Sequence, residues 1–180
     1  MADSVQAPLP YDYLPPVPAL TLTSDDIVDG ERLPDLCVAD IMGCTGGNTS
    51  PHLRWSDAPA ETQSYAVTCF DPDAPTGSGF WHWVVVDLPA SVTELPRGAG
   101  SGDQAALPDG AITVRNDLGN REYLGSAPPP DHGEHRYVFA VHAVGVPTLG
   151  VDADATPALV GFNLTFNVLA RGVLVATWDR

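Results

Sequence analysis

Two short clusters concentrate the residues of this chain that could do chemistry. Asp71-Pro-Asp-Ala-Pro75 runs on to Phe80-Trp-His-Trp83, setting two carboxylates and a histidine among prolines and aromatic rings. His135-Arg-Tyr137, far downstream, has the same character. Charged and imidazole groups among rings are costly to hold together unless they face a pocket or satisfy each other. Such a set can bind a small anion or polar headgroup. His82 and His135 would donate ring N–H groups, Tyr137 would add a hydroxyl, and Asp71 would orient one imidazole.

Each of these residues also has a plainer role. Asp71 and Asp73 can form an Asx turn, and for Asp73 that reading is favoured. For Asp71, a nearby histidine reverses the order. Pro72 and Pro75 stiffen the turn, so a carboxylate there is held at little entropic cost. Arg136 points away from His135 and Tyr137, which suits a structural ion pair. His132 and His142 have no supporting context, and His52 beside Pro51 reads as a loop residue. In the proline-rich loop from Tyr123 to Gly133, Gly125, Ser126 and Ala127 offer backbone N–H donors that can hold an anion without cationic side chains. The same loop can equally be a rigid connection.

Two other chemistries use the same residues. Asp71 and a histidine could activate Ser126 for hydrolysis, although the chain has no Gly-x-Ser-x-Gly elbow. Asp71, His82 and His135 could hold a metal, although no His-x-Asp or His-x₃-His spacing supports it. A binding module ranks ahead of both, so no catalytic residue, metal or cofactor is expected.

The elements that must position these groups are strands. Proline and glycine, 18 and 17 residues, are spread throughout and cut the chain into short segments, which suits an all-β fold with many loops. Strands are expected at Leu20–Thr23, Tyr65–Phe70, Phe80–Leu88, Ala111–Arg115, Arg136–Val144 and Val173–Trp178. Alternation puts His82 with Phe80, Val84, Val86 and Leu88, and His135 with Tyr137, Phe139 and Val141. One helix is expected, capped by Thr156 with Pro157 first; Leu159, Phe162, Phe166 and Leu169 recur along its apolar face. Residues 1–18 read as an extended proline-rich arm packing through Tyr11, Tyr13 and Leu14. Residues 19–180 read as a single domain, with a surface loop at Ala99–Gly110.

Composition narrows the partners. With 23 acidic against 8 basic residues, the formal net charge is −15, which repels nucleic acid and anionic membranes. The start of the chain lacks the basic-then-apolar pattern of a secretory signal, and no apolar run suits a membrane span. A cytoplasmic protein is expected, with no nucleic-acid partner and no stable membrane insertion. Cys37, Cys44 and Cys69 form neither a CxxC pair nor a zinc spacing, which favours buried thiols. The arm or the helix can support a homodimer.

Asp71–Pro75, Phe80–Trp83 and Gly133-Glu-His-Arg-Tyr137 together resemble the phosphatidylethanolamine-binding protein family, most closely its bacterial Raf-kinase-inhibitor-like branch. Ser50-Pro-His-Leu-Arg-Trp55, Arg115-Asn-Asp-Leu-Gly119 and the Gly125–Pro130 loop extend the resemblance, which runs from about residue 18 to the C-terminus. It implies a β-sandwich of two antiparallel sheets with one helix near the C-terminus. It also implies a pocket for phosphate-like anions and phospholipid headgroups. Asp71, Pro75, His82, Pro129, His135 and Tyr137 match pocket positions of that family, and Phe80 matches an aromatic site at the pocket mouth. Ala127 stands where animal members usually carry glycine. Animal members also end in an extra helix, whereas this chain stops after a strand. Regulation or inhibition of a protein partner is implied by the resemblance without a target being identified.

Overall fold

The computed structural model describes residues 6–102 and 107–180, so part of the expected Ala99–Gly110 loop and the start of the arm lie outside the described residues. Among the described residues, eight strands form two antiparallel sheets. β1 (Thr21–Thr23), β2 (Leu53–Ser56) and β5 (Glu94–Leu95) make the smaller, in the order β1-β2-β5. β3 (Ser64–Asp71), β4 (Phe80–Pro89), β6 (Ile112–Thr113), β7 (His135–Val144) and β8 (Val168–Trp178) make the larger, in the order β6-β4-β3-β7-β8. The helix α1 (Pro157–Asn167) lies against the outer face of the larger sheet. The fold is the expected β-sandwich with one helix.

β3 is central and buried along its whole length, because both faces of its sheet are covered. Its run Tyr65-Ala-Val-Thr-Cys-Phe70 is accordingly apolar almost throughout rather than alternating. One face contributes Tyr65, Val67, Cys69, Phe139 and Val141 to a core shared with Leu22, Leu53, Trp55 and Leu95 of the small sheet. The other contributes Ala66, Val84, Val86 and Val144 to a second core with Val160 and Leu164 of α1. Cys37, Cys44 and Cys69 are buried and unpaired.

Simple alternation fails along β4. Cys69 pairs with Trp83 while Phe70 pairs with Trp81, so His82 is an extra residue in a β-bulge. A second bulge lies near Asp87, whose φ of 60° is in the left-handed region. The two shifts move Trp83, Val85 and Leu88 into the core between the sheets with Phe80, and leave Val84 and Val86 on the helix side. His82 therefore does not share a face with Val84 and Val86, contrary to the expectation.

The helix also differs in which face it buries. Thr156 caps it as expected, its side chain accepting from the Leu159 N–H, and Pro157 opens it. Yet Leu159, Phe162 and Phe166 are 46%, 62% and 72% exposed, while Val160 and Leu164 pack inward. Leu169 is not helical at all; β8 begins at Val168, ahead of the expected Val173. The helix carries two apolar rows, and the sheet accepts the one with smaller side chains. Tyr13, expected to pack, is 68% exposed, whereas Tyr11 reaches inward to Thr68.

On the helix side of the larger sheet, a polar row interrupts the apolar surface. His142 is buried between the Thr68 hydroxyl, 3.3 Å from Nε2, and the Arg171 Nε, which donates to Nδ1 at 3.2 Å. Burial, reinforced by the Arg171 charge, pushes the His142 pKa down to about 3. The folded protein thus holds His142 neutral where the unfolded chain, with a pKa near ~6.5, takes up a proton. Stability from this source is complete above pH ~6.5 and is lost as the pH falls toward the folded value. Going from pH 7 to pH 5 should cost about 2 kcal/mol through His142 alone. Urea unfolding at the two pH values measures it, and His142→Gln should shrink the difference by that amount. An unchanged difference in the variant would locate the acid sensitivity elsewhere.

Candidate functional site

Asp71 ends β3, His82 bulges from β4 and His135 opens β7, so the ends of adjacent strands carry the expected groups to one place. His135 donates from Nδ1 to Asp71 Oδ2 at 2.7 Å, and both side chains are buried. The other carboxylate oxygen of Asp71 accepts from the Asp73 N–H at 2.8 Å. Asp71 therefore closes an Asx turn and orients an imidazole at once, because its two oxygens serve the two donors separately.

His135 Nε2 faces His132 Nδ1 at 2.8 Å, completing a line from Asp71 through His135 to His132. His132 had no supporting context in the sequence; its spacing three residues before His135 was the signal available. His132 is exposed, so the line runs from a buried carboxylate to the surface.

His82 occupies the neighbouring position. Its Nδ1 lies 2.9 Å from the Leu124 carbonyl, which can only accept, so Nδ1 carries the proton. Burial, the dominant influence, holds the His82 pKa below the ordinary imidazole value against the pull of Asp71. A neutral ring with Nδ1 protonated leaves Nε2 as a bare acceptor. The expected pair of imidazole donors is thus absent in this state, since both Nδ1–H groups are committed within the protein. The His82 ring meets Tyr137 edge-on at 5.2 Å and Phe80 at 4.9 Å.

Two hydroxyls complete the cluster. Tyr137 Oη and Ser126 Oγ are buried without a hydrogen-bond partner among the described residues. Burial, and next the Asp71 charge, drive the Tyr137 pKa far above the ordinary phenol range, while the Ser126 hydroxyl, close enough for a weak hydrogen bond but short of full hydrogen-bond geometry, pulls the other way. The Tyr137 hydroxyl remains protonated, and even if the two hydroxyls share one weak contact, at least one O–H is left to donate to a third group. No imidazole is hydrogen-bonded to Ser126 Oγ, so the arrangement lacks the base that a serine nucleophile requires.

The Ser126 loop is held from behind. Ala39 N donates to the Ser126 carbonyl at 3.1 Å, Gly125 N donates to Asn48 Oδ1 at 2.8 Å, and Tyr123 donates to the Cys37 carbonyl at 2.8 Å. Asn48 was not singled out in the sequence, because nothing local relates it to Gly125. Ala127 is partly buried against the core, whereas Pro75 and Pro129 are exposed at the surface. Pro129 offers its carbonyl to His132 N at 3.3 Å. Arg136 takes the expected ion pair, gripping both oxygens of Asp73 at 2.8 and 2.7 Å. Asp73 is therefore an arginine partner as well as a turn residue. Burial raises its pKa, but the Arg136 bonds and charge outweigh that and lower it overall. His52 is a loop residue as expected, but buried, accepting from Asp25 N and contacting Glu94.

Among the described residues, no three His, Cys, Asp or Glu side chains are arranged to hold a metal ion. None of the described helices is long and apolar enough to cross a membrane.

The comparisons with known proteins agree with this architecture. A family model described as phosphatidylethanolamine-binding protein matches residues 23–179. UPF0098 protein YbhB of Escherichia coli (strain K12) is 52% identical over 161 residues, covering 89% of this chain and 100% of the relative. UPF0098 protein YbcL of the same strain is 45% identical, with 89% and 88% covered. The crystal structure of E. coli YbcL, described as a new member of the mammalian PEBP family, superposes with a TM-score of 0.87, covering 89% of this chain and 98% of that one. A putative homologue from Chlamydia trachomatis, CT736, gives a TM-score of 0.75 at 27% identity, with 90% and 98% covered.

Proposed function

The chain belongs to the phosphatidylethanolamine-binding protein family, and on that premise we propose that it is a non-enzymatic binding protein taking a phosphate-bearing headgroup at the Asp71–His82–His135 cluster. The observation that carries this reading is the pair of buried hydroxyls, Tyr137 Oη and Ser126 Oγ, neither of which makes a full hydrogen bond, on a tyrosine whose ring meets the neutral His82 ring edge-on at 5.2 Å and its neighbouring serine. A buried donor without a partner costs about 1–3 kcal/mol, which a ligand oxygen would recover. The overall charge of −15 disfavours anions at long range, so local neutral donors must supply the attraction.

The protonation pattern supports a narrower reading of the ligand. The two hydroxyls donate to phosphate oxygens, while neutral His82 Nε2 accepts a hydrogen bond. A singly protonated phosphate supplies both needs, with its P–O–H directed at His82. Pro75, Pro129 and Phe80 would border the headgroup at the surface, and Ala127 would line the loop side. The hydrolase alternative is disfavoured because Ser126 has no base.

Titration with phosphoethanolamine, following the ring signals of His82 and His135 by NMR, tests the proposal. Both imidazoles should shift at millimolar ligand, more strongly at pH 6 than at pH 8, and Tyr137→Phe should weaken binding about tenfold. If neither ring responds, the headgroup reading fails.

A further inference from the structure

A cavity of about 520 Å³ lies on the other side of the larger sheet, between the N-terminal arm and α1, away from the Asp71 cluster. That volume is within the roughly 300–1,000 Å³ of small-molecule sites. Its walls are mainly apolar: Leu14 and Val17 from the arm, Trp81 and Val84 from β4, and Val160 and Leu164 from α1. At one place the lining becomes polar, where Arg171 stands with Thr68, His142 and Tyr11.

Arg171 is the unusual member. The guanidinium carbon sits 4.2 Å from the centroid of the Tyr11 ring, and Nε donates to His142. Among the described residues, neither terminal nitrogen of Arg171 has a hydrogen-bond partner. No carboxylate of those residues lies within ion-pair distance, although Arg32, Arg54, Arg97, Arg115, Arg121 and Arg136 each have one, and Arg180, which also lacks one, bonds through a terminal nitrogen to the Met42 carbonyl and Cys44 sulfur instead. Stacking on Tyr11 occupies only a face of the guanidinium. The in-plane N–H groups, which bind a carboxylate side by side, remain unused. In a chain with so many acidic residues, an arginine left without one beside an apolar cavity is poised for a ligand's charge.

We propose that this cavity is a second ligand site, distinct from the Asp71 cluster, that takes a long-chain carboxylate. The carboxylate pairs with the terminal nitrogens of Arg171, and the alkyl chain lies between the arm and α1 against Trp81, Val84, Val160 and Leu164. An apolar chain supplies the drive that a free small anion would lack against the overall negative charge.

Isothermal titration of the full chain with octanoate, decanoate and dodecanoate, with Trp81 fluorescence as a second readout, tests the site. Binding should tighten about threefold to fourfold per methylene as the chain lengthens. Arg171→Leu should weaken dodecanoate by about tenfold to a hundredfold, and 1-dodecanol should bind the wild type and Arg171→Leu alike. Gly161 lines the cavity, and a Cβ there meets nothing within 4 Å, so Gly161→Leu should occupy part of the cavity and also weaken dodecanoate, with an unchanged circular dichroism spectrum checking that the fold is kept. Phosphoethanolamine binding should be unchanged in both variants, which separates this site from the headgroup pocket. The proposal is overturned by no saturable binding below the micellar range, by affinity independent of chain length, or by full affinity in either variant. It is equally overturned if His135→Ala removes dodecanoate binding.

Discussion

Replacing Gly125 with alanine should destabilise the protein by about 4 kcal/mol or more, at the upper end of what single substitutions do. A Cβ at this position would lie 2.3 Å from Ala39 N and 2.5 Å from the Cys37 carbonyl oxygen and Val38 carbonyl carbon. These are backbone atoms, so no side chain can swing aside to make room. The two segments run side by side, with Val38 bridged to Ser126 and Ala39 N bonded to the Ser126 carbonyl. Pushing them apart would also strain the Leu124 N bond to the His82 carbonyl, at 3.0 Å, and the His82 bond to the Leu124 carbonyl. The melting temperature should fall by roughly 8–16 °C for a chain of this size. Phosphoethanolamine binding should disappear with it, because Ser126 and the His82 tautomer both depend on the loop. Gly77→Ala is the control: its Cβ meets nothing within 4 Å, and it should be neutral within about 0.5 kcal/mol. A Gly125→Ala protein that melts within a degree or two of wild type would mean the crossing relaxes freely.

Asp71→Asn should reduce phosphoethanolamine affinity about tenfold to a hundredfold and cost about 1–3 kcal/mol of stability. The carboxylate serves two donors with separate oxygens, the Asp73 N–H at 2.8 Å and the His135 Nδ1–H at 2.7 Å. An amide has one acceptor oxygen, so one of these donors must face an N–H₂ group. If the turn keeps the oxygen, His135 must present a bare Nδ1 and move its proton to Nε2. The contact with His132 Nδ1 then reverses its donor and acceptor, and the line toward the surface is rewired. Ring ¹⁵N shifts of His135 read the tautomer directly, independently of any loss of fold. Retention of the Nδ1–H form together with affinity within threefold of wild type would remove Asp71 as the positioning residue.

The strands that carry the site were legible because their residues cannot be accommodated any other way. Tyr65–Phe70 and His135–Val144 are long apolar runs bounded by turn formers, and each forms a strand of nearly the expected extent. β2 and β5 were missed. Leu53–Ser56 and Glu94–Leu95 are too short to show a period, and they exist as strands because they pair with each other. Side-chain direction along Phe80–Pro89 was misread, because a bulge depends on the partner strand and leaves no mark in the strand's own residues. The helix was located by its cap and proline but turned the wrong way. Two apolar rows compete on it, and only the shape of the opposing sheet decides between Val160 and Phe162.

The sequence by itself determined the kind of protein and the identity of the central polar residues. Asp71, His82, His135 and Tyr137 are recognisable as a set because charged and imidazole groups among aromatics need one another or a ligand. Only the tertiary structure decided how their protons are distributed. A hydrogen bond from His82 to the Leu124 carbonyl, a carboxylate shared between Asp73 and His135, and the recruitment of His132 all join residues through space. The same holds for Arg171, an ordinary strand residue in sequence, which becomes a candidate anchor because β7, β8 and the arm set it on a cavity wall with no carboxylate of the described residues to pair with. Residue type sets which bonds are possible, and packing selects which of them are made.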